Sequence, residues 1–228
     1  MQKIALKFLG VGAAYNASTN NNAAYFIAER TLFLFDCGEK ITDRILDLGL
    51  LNEVDEVEVF ITHLHSDHIG SLEPLLYYIH FFTKKSIHIY YPDAENLHEL
   101  LVLMGIDFPF EIEKDFSKEK KISIVPVVQD HIPGSYGFFV EAYGTKFFYS
   151  GDTKRVEPKA VEALLKGELD AIYHEVTISE KARIHTHISQ LMEVIPWEYR
   201  PKVVLMHLAN EETVRKGEEE NFSIAKEE

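Results

Sequence analysis

The sequence predicts an α/β fold in which two β-sheets pack face to face with helices on the outside. Three observations predict it. Apolar, β-branched segments lead and helical segments follow, and this order runs twice along the chain. Hydrophobic residues make up 46% of the 228 residues, enough to fill the core of one domain over 1–228. Potential ligands recur directly after apolar strands, where open α/β sheets gather their sites.

Residues 3–9 alternate apolar and polar, as a half-buried strand does, and a loop rich in Gly, Ala and Asn fills 10–22. Residues 23–28 and 31–35 read as a hairpin turned at Glu29 and Arg30. Residues 39–48 have helical spacing and stop near Gly49. A buried strand at 57–61 precedes a helix at 69–81, with Pro74 in its first turn. A strand at 87–91 and a helix at 94–104 end the first half. In the second half, 121–128, 137–141 and 146–149 read as strands, and 158–165 as a helix opened by Pro158. A strand at 169–173, a helix at 188–195 and a strand at 203–206 follow, leaving 211–228 as a charged tail expected to fray.

The formal charge is −14, so an extended polyanion would need a local basic patch. Lys84-Lys85 and the lysines of 118–121 are short and read as solvated faces. The single cysteine, Cys37, excludes an internal disulfide framework and reads as a small buried residue. The start of the sequence lacks the apolar run of a signal peptide, and no stretch approaches the roughly 20 apolar residues of a membrane span. These features predict a soluble cytoplasmic protein without membrane contact.

His63, His65, Asp67 and His68 follow the strand at 57–61 in the run T-H-L-H-S-D-H-I-G. Neutral imidazole and carboxylate are ligands for zinc and similar divalent ions. Alternation on an extended segment points His63 and His65 the same way, and the turn that follows lets Asp67 and His68 reach a second point. The spacing suits two adjacent ions; a polar loop with chance histidines is the alternative. His131, Asp152 and His207 each follow an apolar strand. Each is weak alone, but with the cluster at 63–68 they read as parts of one site.

This set resembles the His-x-His-x-Asp-His signature of the metallo-β-lactamase superfamily, with His131, Asp152 and His207 in the expected order. The resemblance implies a four-layer αβ/βα sandwich with a two-metal site at one edge. It implies that His63, His65 and His131 hold one ion, that Asp67, His68 and His207 hold the other, and that Asp152 bridges both. Two Zn2+ per chain are expected, with Mn or Fe left open. F-L-G-V-G-A-A-Y, L-F-D-C-G-E, S-Y-G-F and H-E-V-T are similar to motifs of the tRNase Z branch, and His185-Thr186-His187 falls where its His-Ser-Thr motif lies. Members that process tRNA carry an arm between the equivalents of His131 and Asp152; here 20 residues intervene, filled by two expected strands. Among armless relatives the chain resembles the anti-Pycsar phosphodiesterases of phages and bacteria. That implies cyclic mononucleotide substrates, zinc, a homodimer and, for a viral protein, the host cytoplasm.

Two divalent ions sharing a carboxylate can hold a bridging hydroxide at neutral pH and neutralise a phosphoryl group for in-line attack. Asp67 counts among the catalytic groups, because its loss should remove an ion. His185 is the candidate general acid and Glu175 the residue that orients it. A surface histidine and a capping carboxylate are the alternatives, and His187 competes for the acid role. By the resemblance, Asp36 accepts a hydrogen bond from a metal-bound histidine; a turn before Gly38 accounts for it equally. Tyr136 either contacts substrate or packs, and Asn20 to Asn22 either bind polar groups or form a turn. Diiron relatives place Glu at the position of His65, so imidazole there argues for hydrolysis. The leading function is a metal-dependent phosphodiesterase acting on a small phosphodiester. The alternatives are a tRNA 3′-end endonuclease and a non-catalytic metal-bound protein that sequesters its ligand.

Overall fold

A computed structural model describes residues 3–114 and 122–228. The first half runs β1 (Lys7–Gly10), β2 (Ala23–Ala28), β3 (Thr31–Phe35), α1 (Ile41–Asp47), β4 (Glu56–Phe60), α2 (Ser66–Ile69), α3 (Leu72–Phe82), β5 (Ser86–Tyr90), α4 (Ala94–Leu103) and β6 (Ile112–Glu113). The second runs β7 (Ile122–Val128), β8 (Tyr136–Ala142), β9 (Thr145–Tyr149), α5 (Pro158–Leu165), β10 (Ala171–Glu175), α6 (Ile188–Val194), β11 (Val203–Met206), α7 (Glu211–Glu219) and β12 (Ser223–Ile224).

Each half builds one six-stranded sheet with its strands in chain order. In both sheets the first three strands are antiparallel and the last four are parallel. The hairpins match as well. Glu29 and Arg30 have φ of 49° and 64°, and Tyr143 and Gly144 have φ of 51° and 83°. Two successive left-handed residues are what a type I′ hairpin turn requires.

Strand alternation sorts the core. Phe33 and Phe35 of β3 and Phe60 of β4 face the second sheet, while Leu32, Leu34, Val57 and Val59 face outward under α1, α3 and α4. Between the sheets, Phe35 lies 6.2 Å from Phe138, 6.1 Å from Phe147 and 5.2 Å from Tyr149, ring centre to ring centre. Each such buried ring contributes about 1.5–3 kcal/mol through apolar area removed from water. Leu164 of α5 and Leu191 of α6 close the far side of the second sheet. The result is the four-layer αβ/βα sandwich the sequence implied.

Most expected elements occur within a few residues of their bounds. Pro158 stands at the first position of α5, where Glu157 caps Lys159 N at 3.1 Å. Pro74 sits in the first turn of α3, where its missing N–H has no helical partner to lose. The first strand starts at Lys7 rather than residue 3, and β6 was not expected. The lysines of 118–121, and the expected start of a strand at 121, lie outside the described residues.

The fraying tail is corrected outright. Asn210 caps α7 by accepting from Thr213 N at 3.0 Å, and β12 then adds a parallel strand to β11. Phe222 and Ala225 are buried, and Gly217 lets the helix approach so closely that a Cβ there would meet Leu205 at 2.7 Å. The tail's charges serve both sides: Arg215 pairs with Glu219 one turn apart on the solvent face, while Arg200 donates to Glu220 Oε2 at 3.1 Å and Asn20 N to Glu227 Oε1 at 2.8 Å.

Candidate metal centre

All seven residues expected to bind ions sit at one edge of the sandwich, beyond the carboxyl ends of parallel strands. His63 to His68 follow β4, Asp152 follows β9 and His207 follows β11, while His131 follows β7, which runs in the same sense as β9. His63 and His65 lie in extended chain past the strand, and Asp67 and His68 occupy the single turn of α2. That turn is fixed from behind: Cys37 N donates to His68 O at 2.7 Å, and Gly38 packs so tightly that a Cβ would fall 1.9 Å from Asp67 O.

Two clusters result. In the first, His65 Nδ1 lies 2.9 Å from His63 Nε2 and 3.2 Å from His131 Nε2. In the second, Asp67 Oδ2 lies 3.4 Å from His68 Nε2 and 3.1 Å from His207 Nε2. Asp152 Oδ2 stands between them, 3.6 Å from His68 and His207, 3.8 Å from His131 and 3.9 Å from His63. Zinc–nitrogen bonds of about 2.0–2.1 Å in a tetrahedron place ligand atoms about 3.3 Å apart, so the spacing fits small divalent cations.

The hydrogen-bond directions fit too. His68 Nδ1 donates to Asp36 Oδ2 at 2.9 Å, which leaves its Nε2 as a lone pair facing two carboxylates. That nitrogen and Asp152 Oδ1 are buried without a hydrogen-bond partner. Lone pairs turned on one another in a dry site call for a cation between them. Protons feel the same field. Burial works against charge on His68, but Asp152 and Asp36 outweigh it and hold the imidazole well above its ordinary range. Burial likewise opposes the charge on Asp67, and His207 and His68 overcome it, holding the carboxyl below its usual range. Burial, then repulsion from His68, pushes His63 well below.

Supporting residues complete the frame. Asp36 is fully buried in a left-handed conformation, φ 65°, and accepts from Thr62 N at 2.8 Å as well as from His68. It therefore makes the contact implied by the resemblance. Asn22 proves to be a buried strut. Its Oδ1 accepts from His207 N at 3.2 Å and its Nδ2 donates to Tyr149 Oη at 2.8 Å, holding His207 at φ 55°. Neither alternative read from the sequence, a turn or a site for polar groups, anticipates that strut. Cys37 is buried, and burial raises its thiol to about 11, against any role as a nucleophile. Tyr136 stacks edge-to-face on Tyr91 at 5.9 Å, the packing alternative.

His185 and Glu175 flank the second cluster. His185 Nδ1 is 3.4 Å from Glu175 Oε1 and 3.8 Å from Asp152 Oδ2. Burial disfavours its charge, yet Glu175, Asp152 and Asp67 raise it above the ordinary imidazole range. Glu175 is buried and aimed by Thr153 N at 3.1 Å and Thr186 N at 2.9 Å. His187 is placed differently: its Nδ1 caps α6, accepting from Ser189 N at 3.3 Å. Beside His185 opens a cleft of about 340 Å3 lined by Lys154, Arg155 and Arg183, a local basic patch on an acidic chain. Lys154 and Arg155 also pair with Asp130, at 3.4 and 3.1 Å.

Layers, strand order and a ligand-bearing edge define a protein of the metallo-β-lactamase fold. The short form of human tRNase Z superposes with a TM-score of 0.70 at 20% identity, covering 98% of this chain and 96% of that one. The profile of the family described as Anti-Pycsar protein Apyc1 matches residues 4–102 and 108–228, and the chain belongs to that family. The Anti-Pycsar protein Apyc1 of Paenibacillus sp. (strain J14) is 29% identical over 231 residues, spanning 90% of this chain and 89% of the relative. The Ribonuclease Z of Methanocaldococcus jannaschii is 35% identical over 123 residues, spanning 50% of this chain and 38% of that protein. Among the described residues, no helix is long and apolar enough to cross a membrane.

Proposed function

We propose that the chain is a binuclear metal-dependent phosphodiesterase that hydrolyses small phosphodiesters, cyclic mononucleotides in particular. One observation carries the reading: a single carboxylate oxygen, Asp152 Oδ2, lies 3.6–3.9 Å from donor nitrogens of both clusters, the position of a bridging ligand. Family membership and the name of the Paenibacillus relative support the substrate class.

His63, His65 and His131 would hold one cation and Asp67, His68 and His207 the other, with Asp152 shared. Two such ions, zinc, Mn or Fe by the chemistry of the donors, would supply a water acidified toward neutral pH and would neutralise charge on the phosphoryl group. The chain's own residues do the rest. Asp36 and Thr62 keep His68 Nε2 free to bind. Glu175, 3.4 Å from His185 Nδ1, favours the protonated form of that imidazole beside the cluster, from which a proton would pass to the leaving oxygen. The cleft beside His185 takes the leaving end of the substrate.

The test is a phosphodiester panel with elemental analysis. Cyclic CMP, UMP, AMP and GMP are offered to protein carrying two ions per chain, beside pre-tRNA. Cleavage of at least one cyclic nucleotide is expected; all four left intact refutes the reading. The partial identity to Ribonuclease Z favours pre-tRNA as the second substrate, but β8 and β9 form a tight hairpin where a tRNA-binding arm would emerge. Ligand retained uncleaved by the metal-loaded protein would mark a sequestering protein instead. The proposal includes a cytoplasmic homodimer. Exposed Phe81 and Phe82 at the end of α3 offer apolar surface for a second copy, and light scattering measures the mass.

A further inference from the structure

We infer that Ile184 is a positioning residue, whose main-chain carbonyl makes filling the first ion cluster and seating His185 a single event. The inference rests on the binuclear reading above.

His131 Nδ1 donates to Ile184 O at 2.8 Å, and the next residue in the chain is His185. A neutral imidazole carries one proton. With that proton on Nδ1 and directed at Ile184, His131 presents a lone pair at Nε2 toward His65 and His63. A cation held by Nε2 keeps the proton on Nδ1 and the ring in place, which in turn keeps a donor aimed at the Ile184 carbonyl. The main chain that carries this carbonyl also carries the candidate acid.

The rest of the 178–187 segment makes this link decisive. Its base is pinned by Thr186, whose N donates to Glu175 Oε1 at 2.9 Å and whose Oγ1 donates to Thr153 O at 2.8 Å. The main-chain hydrogen bonds at its tip are local: Ala182 N to Ser179 O at 3.1 Å, Arg183 N to Lys181 O at 3.0 Å, and His185 N to Ala182 O at 3.2 Å. Lys181 and Arg183 are exposed. Such a tip opens readily unless something beyond it holds on, and the Ile184 carbonyl is its hydrogen bond to the ligand shell. Metal at the first cluster therefore closes the segment, and by reciprocity a loosened segment weakens the metal.

Limited trypsin digestion of the whole chain tests this, with metal-free protein prepared by dialysis compared against protein reloaded with zinc. Zinc is expected to slow cleavage after Lys181 and Arg183 about tenfold, within the usual range of such couplings. Cleavage after Lys84, exposed before β5 at the opposite end of the strands, reports general stabilisation and should change much less. Equal protection at both places, or none in the segment with two zinc ions bound, overturns the inference. A chain that binds no zinc overturns the binuclear reading with it. Thr186→Val, which removes the Thr153 anchor but preserves shape, should weaken the first ion while leaving the second in place, read by chelator competition. Equal weakening of both ions, or of neither, refutes the link.

Discussion

Asp36→Asn separates the shape of the supporting carboxylate from its charge. Asn has the same outline, and its Oδ1 can still accept from Thr62 N, so the fold should survive. The other arm then presents an NH2 where His68 Nδ1 now donates at 2.9 Å. To avoid two donors facing each other, the imidazole must move its proton to Nε2, the atom 3.4 Å from Asp67 and 3.6 Å from Asp152. A protonated Nε2 cannot bind a cation. Loss of such a supporting contact lowers metal affinity about 10- to 100-fold, which at fixed free zinc removes about 1.4–2.7 kcal/mol of ligand-linked stability. For a chain of this size each kcal/mol shifts Tm by about 2–4 °C, so the zinc-induced rise in Tm should shrink by about 3–11 °C. Differential scanning calorimetry with and without zinc measures it. An unchanged zinc-induced shift would refute the view that Asp36 sets the tautomer of His68.

Asp67→Ala should leave one ion per chain and lower turnover at least about a hundredfold, since each ion contributes several kcal/mol of charge stabilisation; two ions by elemental analysis would remove Asp67 from the ligand set. His185→Ala should retain both ions and reduce kcat by about 10²–10⁴; loss of metal would make it a ligand instead. Glu175→Gln removes the partner that raises His185, so its pKa falls. A general acid works only while protonated, so the alkaline limb of the kcat–pH profile should move to lower pH, and an unmoved limb counts against the pairing. Gly38→Ala would place a Cβ only 1.9 Å from Asp67 O, and should cost about 1–3 kcal/mol in urea denaturation while also lowering ion affinity.

The ligand shell was legible because its residue types stand out. Four ligand-type side chains in six positions, and a His or Asp after each of three apolar strands, seldom coincide unless they share a metal. The frame behind them was not legible. Asn22 sits in a run of asparagines that reads as a turn, and only its burial against Tyr149 shows that it steadies His207. The Ile184 contribution is a main-chain carbonyl, which no side chain announces. His187 stood two residues from His185 as a competitor for the acid role, and nothing in the residue types shows that its Nδ1 caps a helix. The tail misled because Lys and Glu outnumber its apolar residues, and Phe222 and Ala225 are too few to form a period. The shared topology of the two halves showed only as an order of elements that runs twice, not as a repeat of residues, because hairpins and crossovers constrain strand order rather than residue identity.

Those matched halves have a consequence for cohesion. Each candidate ion draws on both: His63 and His65 with His131, and Asp67 and His68 with His207 and Asp152. Neither half could assemble a working centre by itself. A pair of cations seated there would act as rivets along the seam where the two sheets meet, so stripping the metal would silence the chemistry and slacken the joint in the same stroke.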